Sequence, residues 1–310
     1  MLRRLVCLLA LATAVLPAIA AADSPATRVY TLLPGDGNPE GVAFDQRTGF
    51  FYVSHAFTGA VYRGTLDDAI VHPFLPSGQD GRTGATGMKV DKDGRLYIAG
   101  AFSGAIFVYD TATGALLGRF DTGPGGFLND LALTKNGDLY VTDSFRPVLW
   151  RVRAESIESG AGPVEAIPVA PEIAYVPGDF NLNGLVTTEN GKALISIQSS
   201  NGRLWRIEPT DNPLVRTITE IPVKGGSLVN GDGLVINGSN LIVIQNAQEL
   251  VTEVKLSEAG TVGDIVETTT DPTFKTPTTA AIAHDRLLVV NSEFFETDGP
   301  PYTVSSIKRP

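Results

Sequence analysis

The chain repeats one short pattern six times, and this repetition constrains its fold more than any other feature of the sequence. A repeat contains an alternating apolar segment, a turn such as Lys92-Asp93-Gly94, and a second apolar segment, usually followed by a third. Period-two alternation interrupted by Asp-Gly or Asn-Gly turns predicts antiparallel β-hairpins. The repeats cover residues 38–66, 84–110, 127–153, 181–208, 230–256 and 278–292.

The residue directly before the first predicted strand marks the same position in every repeat, and we call these residues the anchors. They are Glu40, Thr86, Asn129, Asn183, Asp232 and Thr279. Successive anchors are 43 to 54 residues apart, a spacing typical of four-stranded propeller blades. The sequence therefore predicts an all-β fold, a six-bladed β-propeller with four-stranded antiparallel blades. A linear solenoid is the alternative, but it would need capping segments, and none is recognisable.

The segment before the first repeat, TRVYTLL at residues 27–33, has no hairpin partner nearby. We expect this N-terminal strand to close the ring as the outer strand of the last blade. The six repeats would then use residues 23–310 as a single domain without a linker. The composition agrees with a turn-rich β protein, since the chain has 33 glycines and only 19% charged residues.

The first residues read as an export signal. Arg3 and Arg4 precede a nearly continuous apolar stretch at residues 5–19, and small residues follow at Ala20 and Ala22. This pattern predicts a signal peptide at residues 1–22 that is cleaved, and a secreted or periplasmic protein. An uncleaved membrane anchor is the alternative. After cleavage no apolar stretch is long enough to span a membrane.

Charge and cysteine content exclude several classes of function. The formal net charge is −10, and an acidic surface repels phosphate backbones, so we expect no nucleic-acid partner. Cys7 is the only cysteine and leaves with the predicted signal. A disulfide framework and a cysteine-based metal site are therefore excluded.

Four anchors carry side-chain oxygen atoms that suit a divalent cation. In a propeller, equivalent residues at the start of the inner strands meet around one axis. Glu40, Asn129, Asn183 and Asp232 would thus supply two carboxylates and two amide carbonyls. Such donors favour Ca²⁺ and leave Mg²⁺ and Mn²⁺ open, whereas Zn²⁺ prefers His or Cys. The alternative is that these residues only satisfy backbone groups in turns.

At these motifs the sequence resembles the SMP-30/gluconolactonase family, which includes the luciferin-regenerating enzyme; paraoxonases and diisopropylfluorophosphatase are more distant relatives. The most specific segments are PEGVAFD, NDLALTKNGDLYVTD, NGL and DGL, in the first, third, fourth and fifth repeats. The resemblance implies that Glu40, Asn129, Asn183 and Asp232 bind a catalytic divalent metal. It also implies metal-dependent hydrolysis of a lactone or ester-like bond, with Asp232 activating water or acting as the nucleophile.

Two departures from the family pattern bear on the substrate. Phe127 stands where sugar-lactonase members carry an arginine, and the acidic residue those enzymes use has no counterpart near residues 146–147. The resemblance then implies a small-molecule lactone or ester that is more apolar than a sugar lactone. Paraoxonases carry a catalytic histidine where this chain has Thr86, so a histidine-based mechanism is not expected.

Five residues are candidates for substrate contact: Thr86, Phe127, His55, Asp143 and Thr279. Thr86, Phe127 and Thr279 lie at or beside anchors, whereas His55 and Asp143 end the second predicted strands of their repeats. Structural roles are the alternative for His55 and Asp143, as a packed histidine and a turn-closing carboxylate. Phe57, Phe102 and Phe145 occupy matching positions and are expected either to floor an apolar pocket or to pack between blades.

Two further classes of function stay open at this point. The first is a non-catalytic propeller that binds a ligand or protein and holds a structural metal, because a fold alone does not determine function. The second is a strictosidine-synthase-like relative that has lost hydrolysis, which the complete set of four oxygen donors disfavours.

Overall fold

The computed structural model describes residues 26–33, 37–212, 216–297 and 299–310. Within these ranges the regular secondary structure is almost entirely β-strand, with one short helix, α1 (Ala154–Ser159), and a 3-10 turn at Gln79–Gly81. The prediction of an all-β fold is confirmed. The predicted signal peptide, residues 1–22, lies outside the described residues. No helix in the described ranges is long and apolar enough to cross a membrane.

Each sequence repeat forms a group of mostly four antiparallel strands, and we number these groups unit 1 to unit 6. A first strand, β1 (Arg28–Leu32), precedes unit 1, which contains β2 (Pro39–Phe44), β3 (Phe50–His55), β4 (Val61–Thr65) and β5 (Ile70–Leu75). Unit 2 contains β6 (Met88–Val90), β7 (Arg95–Ala99), β8 (Ala105–Asp110) and β9 (Leu116–Asp121). Unit 3 contains β10 (Leu128–Leu133), β11 (Leu139–Asp143), β12 (Val148–Val152) and β13 (Val164–Pro168).

The second half of the chain continues in the same way. Unit 4 contains β14 (Leu182–Thr187), β15 (Leu194–Gln198), β16 (Arg203–Pro209) and β17 (Arg216–Ile221). Unit 5 contains the short β18 (Val223–Lys224), β19 (Gly231–Asn237), β20 (Asn240–Gln245), β21 (Leu250–Leu256) and β22 (Gly263–Thr269). Unit 6 contains β23 (Pro277–Ala283), β24 (Arg286–Asn291) and β25 (Thr303–Lys308).

The first strand of the chain pairs with the last. β1 runs antiparallel to β25, with Arg28 opposite Ser306 and Thr31 opposite Thr303. It is therefore the outermost strand of unit 6, in the strand order β23-β24-β25-β1. On its other side β1 makes a short parallel pairing with β5, at Thr31–Ile70 and Leu32–Val71. These two pairings join unit 6 to unit 1.

The hairpin turns form where the sequence predicts them. Gly94 (φ 86°) and Gly137 (φ 89°) end the Asp-Gly and Asn-Gly turns of units 2 and 3 in the left-handed region of backbone conformation. This region costs glycine little because it has no Cβ. The turns fix the alternation of side chains on the strands, and so determine which residues face each neighbouring unit.

The hydrophobic core is divided into six clusters, and each lies between two neighbouring units. Tyr52 and Leu75 of unit 1 pack with Ile98 and Phe107 of unit 2, and the pattern continues around the chain until unit 6 packs on unit 1. The first strands follow the same order: β2, β6, β10, β14, β19 and β23 each contact the next, and β23 contacts β2. Residues at the beginning of these six strands are thereby brought close together.

Candidate metal centre and substrate pocket

The strand register identifies the equivalent position in each unit. Glu40, Asn129, Asn183 and Asp232 are each the second residue of the first strand in their units. In all four units the register of that strand against its neighbour shifts between the first and fourth residues of the strand, an interval that contains this residue. A bulge changes the direction of a side chain relative to a regular strand. The same irregularity therefore presents four oxygen-bearing side chains in the same way.

The sixth anchor was assigned one residue too late. The register shift in β23 lies between Pro277 and Ala280, which makes Thr278, not Thr279, the counterpart of Glu40. A shift of one residue along a strand turns the side chain to the other face. Thr278 is fully buried, and its hydroxyl donates a hydrogen bond to the carbonyl oxygen of Glu40 at 2.7 Å. Thr278 thus holds the backbone at the first anchor.

Small residues after the anchors allow the first strands to approach closely. Gly41, Gly87, Gly184 and Gly233 occupy this position. A Cβ atom built on Gly184 would lie 2.3 Å from the carbonyl oxygen of Asp232, and one built on Gly233 would lie 2.1 Å from Oγ1 of Thr279. These separations leave no space for a side chain. Close packing of the strands is therefore what brings Asn183 and Asp232 together.

One cavity of about 600 Å³ contains all four predicted metal ligands in its wall. Their side chains are almost completely buried, with 7% exposure for Glu40, 3% for Asn129, 6% for Asn183 and 5% for Asp232. The structure thus brings together two carboxylates and two carboxamides from units 1, 3, 4 and 5.

Two serine residues orient the amide groups. Ser144 uses its single hydroxyl hydrogen on the carbonyl oxygen of Leu182 (2.7 Å), so it accepts a hydrogen bond from Nδ2 of Asn129 (3.0 Å). Ser199 likewise donates to the carbonyl oxygen of Gly231 (2.5 Å) and accepts from Nδ2 of Asn183 (3.1 Å). Because each amide nitrogen is held by a serine, the amide oxygen is left for another partner. Sequence analysis missed both serines, although each directly follows the second strand of its unit.

Two buried oxygen atoms in this cluster lack a partner. Oε2 of Glu40 and Oδ1 of Asn129 find no hydrogen-bond donor within the described part of the chain. Buried acceptors are normally satisfied, because desolvation without compensation is costly. A cation between these atoms would satisfy both. The donor set therefore fits a hard divalent cation.

The electrostatics of the cavity also favour a cation. Burial raises the pKa of Glu40 well above its ordinary value, and the nearby carboxylates of Asp232 and Asp130 raise it further, while Lys89 lowers it. Burial raises the pKa of Asp232 to about 7, against the lowering effect of hydrogen bonds from Asn246 and Asn183. Nδ2 of Asn246 donates to Oδ2 of Asp232 at 3.1 Å. These raised pKa values mean that the cavity itself stabilises the ionised carboxylates poorly, so that a bound cation would favour their ionisation.

A metal site in this cavity would require the amide oxygens of the two asparagines. In the described ranges no three His, Cys, Asp or Glu side chains come together in an arrangement that could hold a metal. A metal at this site depends on Asn129 and Asn183 as well as on Glu40 and Asp232. This oxygen-only set matches the preference of Ca²⁺ more closely than that of Zn²⁺.

Four of the five candidate substrate contacts lie outside the cavity wall: His55, Thr86, Asp143 and Thr279. His55 is completely buried in unit 1, where its ring stacks on Tyr62 with centroids 4.6 Å apart. Thr86 is also buried, and its hydroxyl lies within hydrogen-bond distance of the carbonyl oxygens of Ala99 and Leu128. The structure gives His55 and Thr86 packing roles in place of the expected pocket contacts.

Asp143 closes a turn behind the cavity. Its carboxylate accepts hydrogen bonds from the backbone N–H groups of Phe127, Phe145 and Arg146, at 3.0, 3.1 and 2.9 Å. The side chains of Arg146 (2.6 Å) and Trp150 (3.1 Å) donate to the same carboxylate. With its acceptor positions used in this way, Asp143 positions Phe127 and does not itself reach the cavity.

Phe127 does line the cavity, as predicted, within a larger aromatic surface. Its ring contacts Phe102 and Phe180, with centroids 4.7 and 5.2 Å apart, and both of these also line the cavity. Phe145 stands beside the three and touches each of them. We call Phe102, Phe127, Phe145 and Phe180 the aromatic wall.

A second aromatic pair, Phe57 and Phe294, lines the same cavity with centroids 5.8 Å apart. Phe57 and Phe102 remain 58% and 59% exposed. Of the three aromatic residues expected either to floor a pocket or to pack between blades, Phe57 and Phe102 line the cavity, and Phe145 packs against Phe102 outside its wall. Exposed aromatic rings concentrated at a cavity indicate a surface that binds an apolar group.

Comparison with solved structures shows which known proteins share this architecture. Regucalcin from Agrobacterium tumefaciens, described as a calcium-binding protein, superimposes with a TM-score of 0.65 over 90% of this chain and 97% of its own, at 17% identity. A gluconolactonase from Xanthomonas campestris gives a TM-score of 0.64 over 94% of this chain and 93% of its own, also at 17% identity. The chain has the fold of the regucalcin and gluconolactonase group. This agrees with the SMP-30/gluconolactonase resemblance of the sequence motifs.

A lyase also shares this fold. Virginiamycin B lyase from Staphylococcus aureus superimposes with a TM-score of 0.60 over 92% of this chain and 99% of its own, at 11% identity. No family model matches the chain, and no curated protein matches it. The choice of reaction therefore depends on the residues of the cavity.

Proposed function

We propose that this chain is an exported, metal-dependent hydrolase of a lactone or ester, built on a six-bladed propeller. The cyclic order of the first strands and the six clusters between units support the propeller with six blades. The pairing of β1 with β25 supports its closure by the N-terminal strand. Residues 1–22 would be the cleaved signal, and residues 23–310 a single domain in a secreted or periplasmic protein.

One observation carries the proposed function. Four oxygen-bearing side chains meet in one cavity, with the amides oriented by Ser144 and Ser199 and with buried acceptor atoms on Glu40 and Asn129 that lack a donor within the described residues. Glu40, Asn129, Asn183 and Asp232 would hold the metal. Ca²⁺ fits this set best, and Mg²⁺, Mn²⁺ and Zn²⁺ are its competitors.

The chain's own residues account for the rest of the chemistry. A bound divalent cation supplies Lewis-acid polarisation of the substrate carbonyl. Asp232 accepts a proton from the attacking water, whose oxygen forms the new bond to the carbonyl carbon while the ring or ester C–O bond breaks. The departing oxygen takes up the proton that Asp232 received, so that a carboxylic acid and an alcohol group result and Asp232 is regenerated. Asn246 fixes the orientation of Asp232 through its hydrogen bond to Oδ2.

The protonation state of Asp232 is matched to this role. Its pKa, about 7 because of burial, makes it a stronger base than an ordinary aspartate, and a nearby cation would lower that pKa again. The contribution of Asp232 in the metal-bound protein is therefore chiefly its fixed position beside the water.

The cavity wall supports a substrate that is more apolar than a sugar lactone. The aromatic wall and the Phe57–Phe294 pair offer rings and no hydrogen-bond donors, while polar groups such as Ser199, Asn230 and Asn246 lie elsewhere in the wall. A volume of about 600 Å³ accommodates a ligand considerably larger than a six-membered lactone. The substrate would place its carbonyl beside Asp232 and its apolar substituent against the rings.

Chelation provides the direct test of the function. We expect protein treated with a chelator to lose hydrolysis across a panel of alkyl-substituted lactones and aryl esters, and to regain it when Ca²⁺ is added. Parallel additions of Mg²⁺, Mn²⁺ and Zn²⁺ rank the competing metals. Turnover that is unaffected by chelator, or no metal-dependent turnover of any substrate in the panel, would contradict the proposal.

Substrate chain length tests the aromatic wall. We expect kcat/KM to rise about fourfold for each methylene added to a lactone side chain, because burying a methylene group contributes roughly 0.8 kcal/mol. Replacing both Phe102 and Phe180 with alanine should flatten this dependence without changing the turnover of an unsubstituted lactone. Val266→Ala, at an apolar residue that is 57% exposed on β22, is the matched control. A wild-type protein that hydrolyses gluconolactone faster than every alkyl lactone would disprove the apolar preference.

A further inference from the structure

Asp130 is a charged residue at a position that small or uncharged residues fill in the other units. It directly follows the predicted ligand Asn129, where the other units have Gly41, Gly87, Gly184, Gly233 and Thr279. The side chain has space because unit 2 has a glycine beside it, since a Cβ atom on Gly87 would lie 2.3 Å from Oδ1 of Asp130. The ring of first strands thus contains one additional carboxylate next to the proposed metal centre.

This carboxylate is buried and fully engaged. Asp130 is 4% exposed. Oδ1 accepts hydrogen bonds from the backbone N–H of Leu131 at 2.8 Å and from Nζ of Lys89 at 3.1 Å, and Oδ2 accepts one from the N–H of Leu185 at 2.9 Å. Three donors, one of them the ammonium group of Lys89, therefore hold this carboxylate in place.

Lys89 reaches Asp130 from the opposite end of the first strands. Its side chain is about one-third exposed, and it lines a second cavity of about 320 Å³ together with the later residues of the first strands, such as Leu133, Thr187 and Ile236. The proposed metal cavity is instead lined by the early residues of these strands. The Lys89–Asp130 ion pair therefore lies between the two cavities.

The ion pair lies directly beside the proposed ligands, because Asp130 follows Asn129 in the chain and holds Nζ of Lys89 at 3.1 Å. Glu40, Asp130 and Asp232 together would confront a cation with three negative charges. With Lys89 included, the net charge is that of two carboxylates, which one divalent cation neutralises.

We propose that Lys89 is a tethered counter-cation of the metal centre, which neutralises Asp130 so that Glu40 and Asp232 alone determine the charge that a bound divalent cation meets. This inference rests on the proposed metal site. Lys89 would be a positioning residue, because it acts through Asp130 and does not touch the metal or the substrate. Removing its charge should strengthen the attraction for a cation, whereas removing the charge of Asp130 should weaken it.

Calcium titration of the full chain by calorimetry tests the proposal. We expect Lys89→Met, which keeps the aliphatic stem, to lower the Kd for Ca²⁺ about tenfold, and Asp130→Asn to raise it by a similar factor, because a buried charge is poorly screened by solvent. The double variant should return close to the wild-type value, since it removes both charges. Lys89→Arg, which keeps the positive charge, is the matched control and should bind like the wild type.

The opposite changes in Ca²⁺ affinity expected for Lys89→Met and Asp130→Asn distinguish the counter-cation role of Lys89 from simple structural support. If Lys89 only maintained the fold, Lys89→Met and Asp130→Asn would both weaken Ca²⁺ binding, and that result would overturn the proposal. Thermal unfolding of the metal-free variants shows that each is folded before titration. Wild-type binding with no gain in Lys89→Met refutes the Lys89 inference and leaves the proposed function intact.

The comparison of Ca²⁺ binding by the wild type and by Lys89→Met also separates the proposed metal site from the counter-cation role. If the wild-type chain binds no Ca²⁺ and Lys89→Met does, the metal part of the proposed function fails and the counter-cation role stands. If neither protein binds Ca²⁺, both fail.

Discussion

Asp232→Asn is expected to reduce kcat for lactone hydrolysis by about 10³-fold, measured at saturating Ca²⁺, because a positioned general base contributes roughly 10² to 10⁴ in rate. Asparagine has nearly the same shape as aspartate but cannot accept the proton of the attacking water. The Asp232→Asn substitution also removes one of the two negative charges among the proposed ligands. We therefore expect weaker Ca²⁺ binding as well, which is why the rate must be compared at saturation.

Asp179→Asn supplies the control for this prediction. Asp179 also lines the cavity, but it is exposed and lies beside Phe180, outside the cluster of buried donors. We expect this variant to retain kcat within about twofold, because an exposed carboxylate interacts weakly across solvent. If Asp232→Asn kept full activity while Asp179→Asn lost it, the catalytic assignment would be wrong. If ligand binding survived in Asp232→Asn and no substrate were turned over by the wild type, the non-catalytic alternative would be preferred.

Gly184→Ala is expected to lower the free energy of unfolding by about 3 kcal/mol, the upper range for overpacking a tightly packed interior. The added Cβ would overlap the carbonyl oxygen of Asp232 at 2.3 Å and the backbone nitrogen of Leu234 at 2.7 Å. Both neighbours are backbone atoms, so relief requires β14 and β19 to separate. Urea unfolding measures the loss of stability.

Separation of these strands would also move Asn183 away from Asp232, so we expect Ca²⁺ binding to weaken in the same variant. Gly226→Ala is the matched control, because Gly226 is exposed and its added Cβ would meet only the end of the Ile265 side chain, at 3.0 Å. That substitution should change the stability by less than about 0.5 kcal/mol. Equal urea midpoints for the two variants would show that the first strands tolerate separation.

The sequence was sufficient to predict the strands, their turns and the equivalence of four anchors, because each of these features repeats along the chain. The assignment at Thr279 failed for a physical reason. In most units a glycine or aspartate marks the position after the anchor, but two threonines stand together at Thr278 and Thr279. Hydrophobic alternation alone does not show which of them faces the ring, and a shift of one residue reverses the side chain.

The roles of individual polar side chains were harder to predict. His55 and Asp143 occupy strand ends near the cavity, where either packing or substrate contact is possible. Their roles depend on partners far away in the sequence or on the exact path of a turn, such as the backbone N–H groups that engage Asp143. Ser144 and Ser199 could have been noticed, since both directly follow the second strand of their units. Their effect on the amide groups required knowledge of the hydrogen-bond geometry.

The pairing of β1 with β25 has a consequence for biosynthesis. Residues 28–32 leave the ribosome among the first of the described residues, yet their partner at residues 303–308 comes almost last. Contacts between such distant segments form late and slowly in folding. A nascent polypeptide therefore cannot join unit 6 to unit 1 through β1 until residues 303–308 have been synthesised.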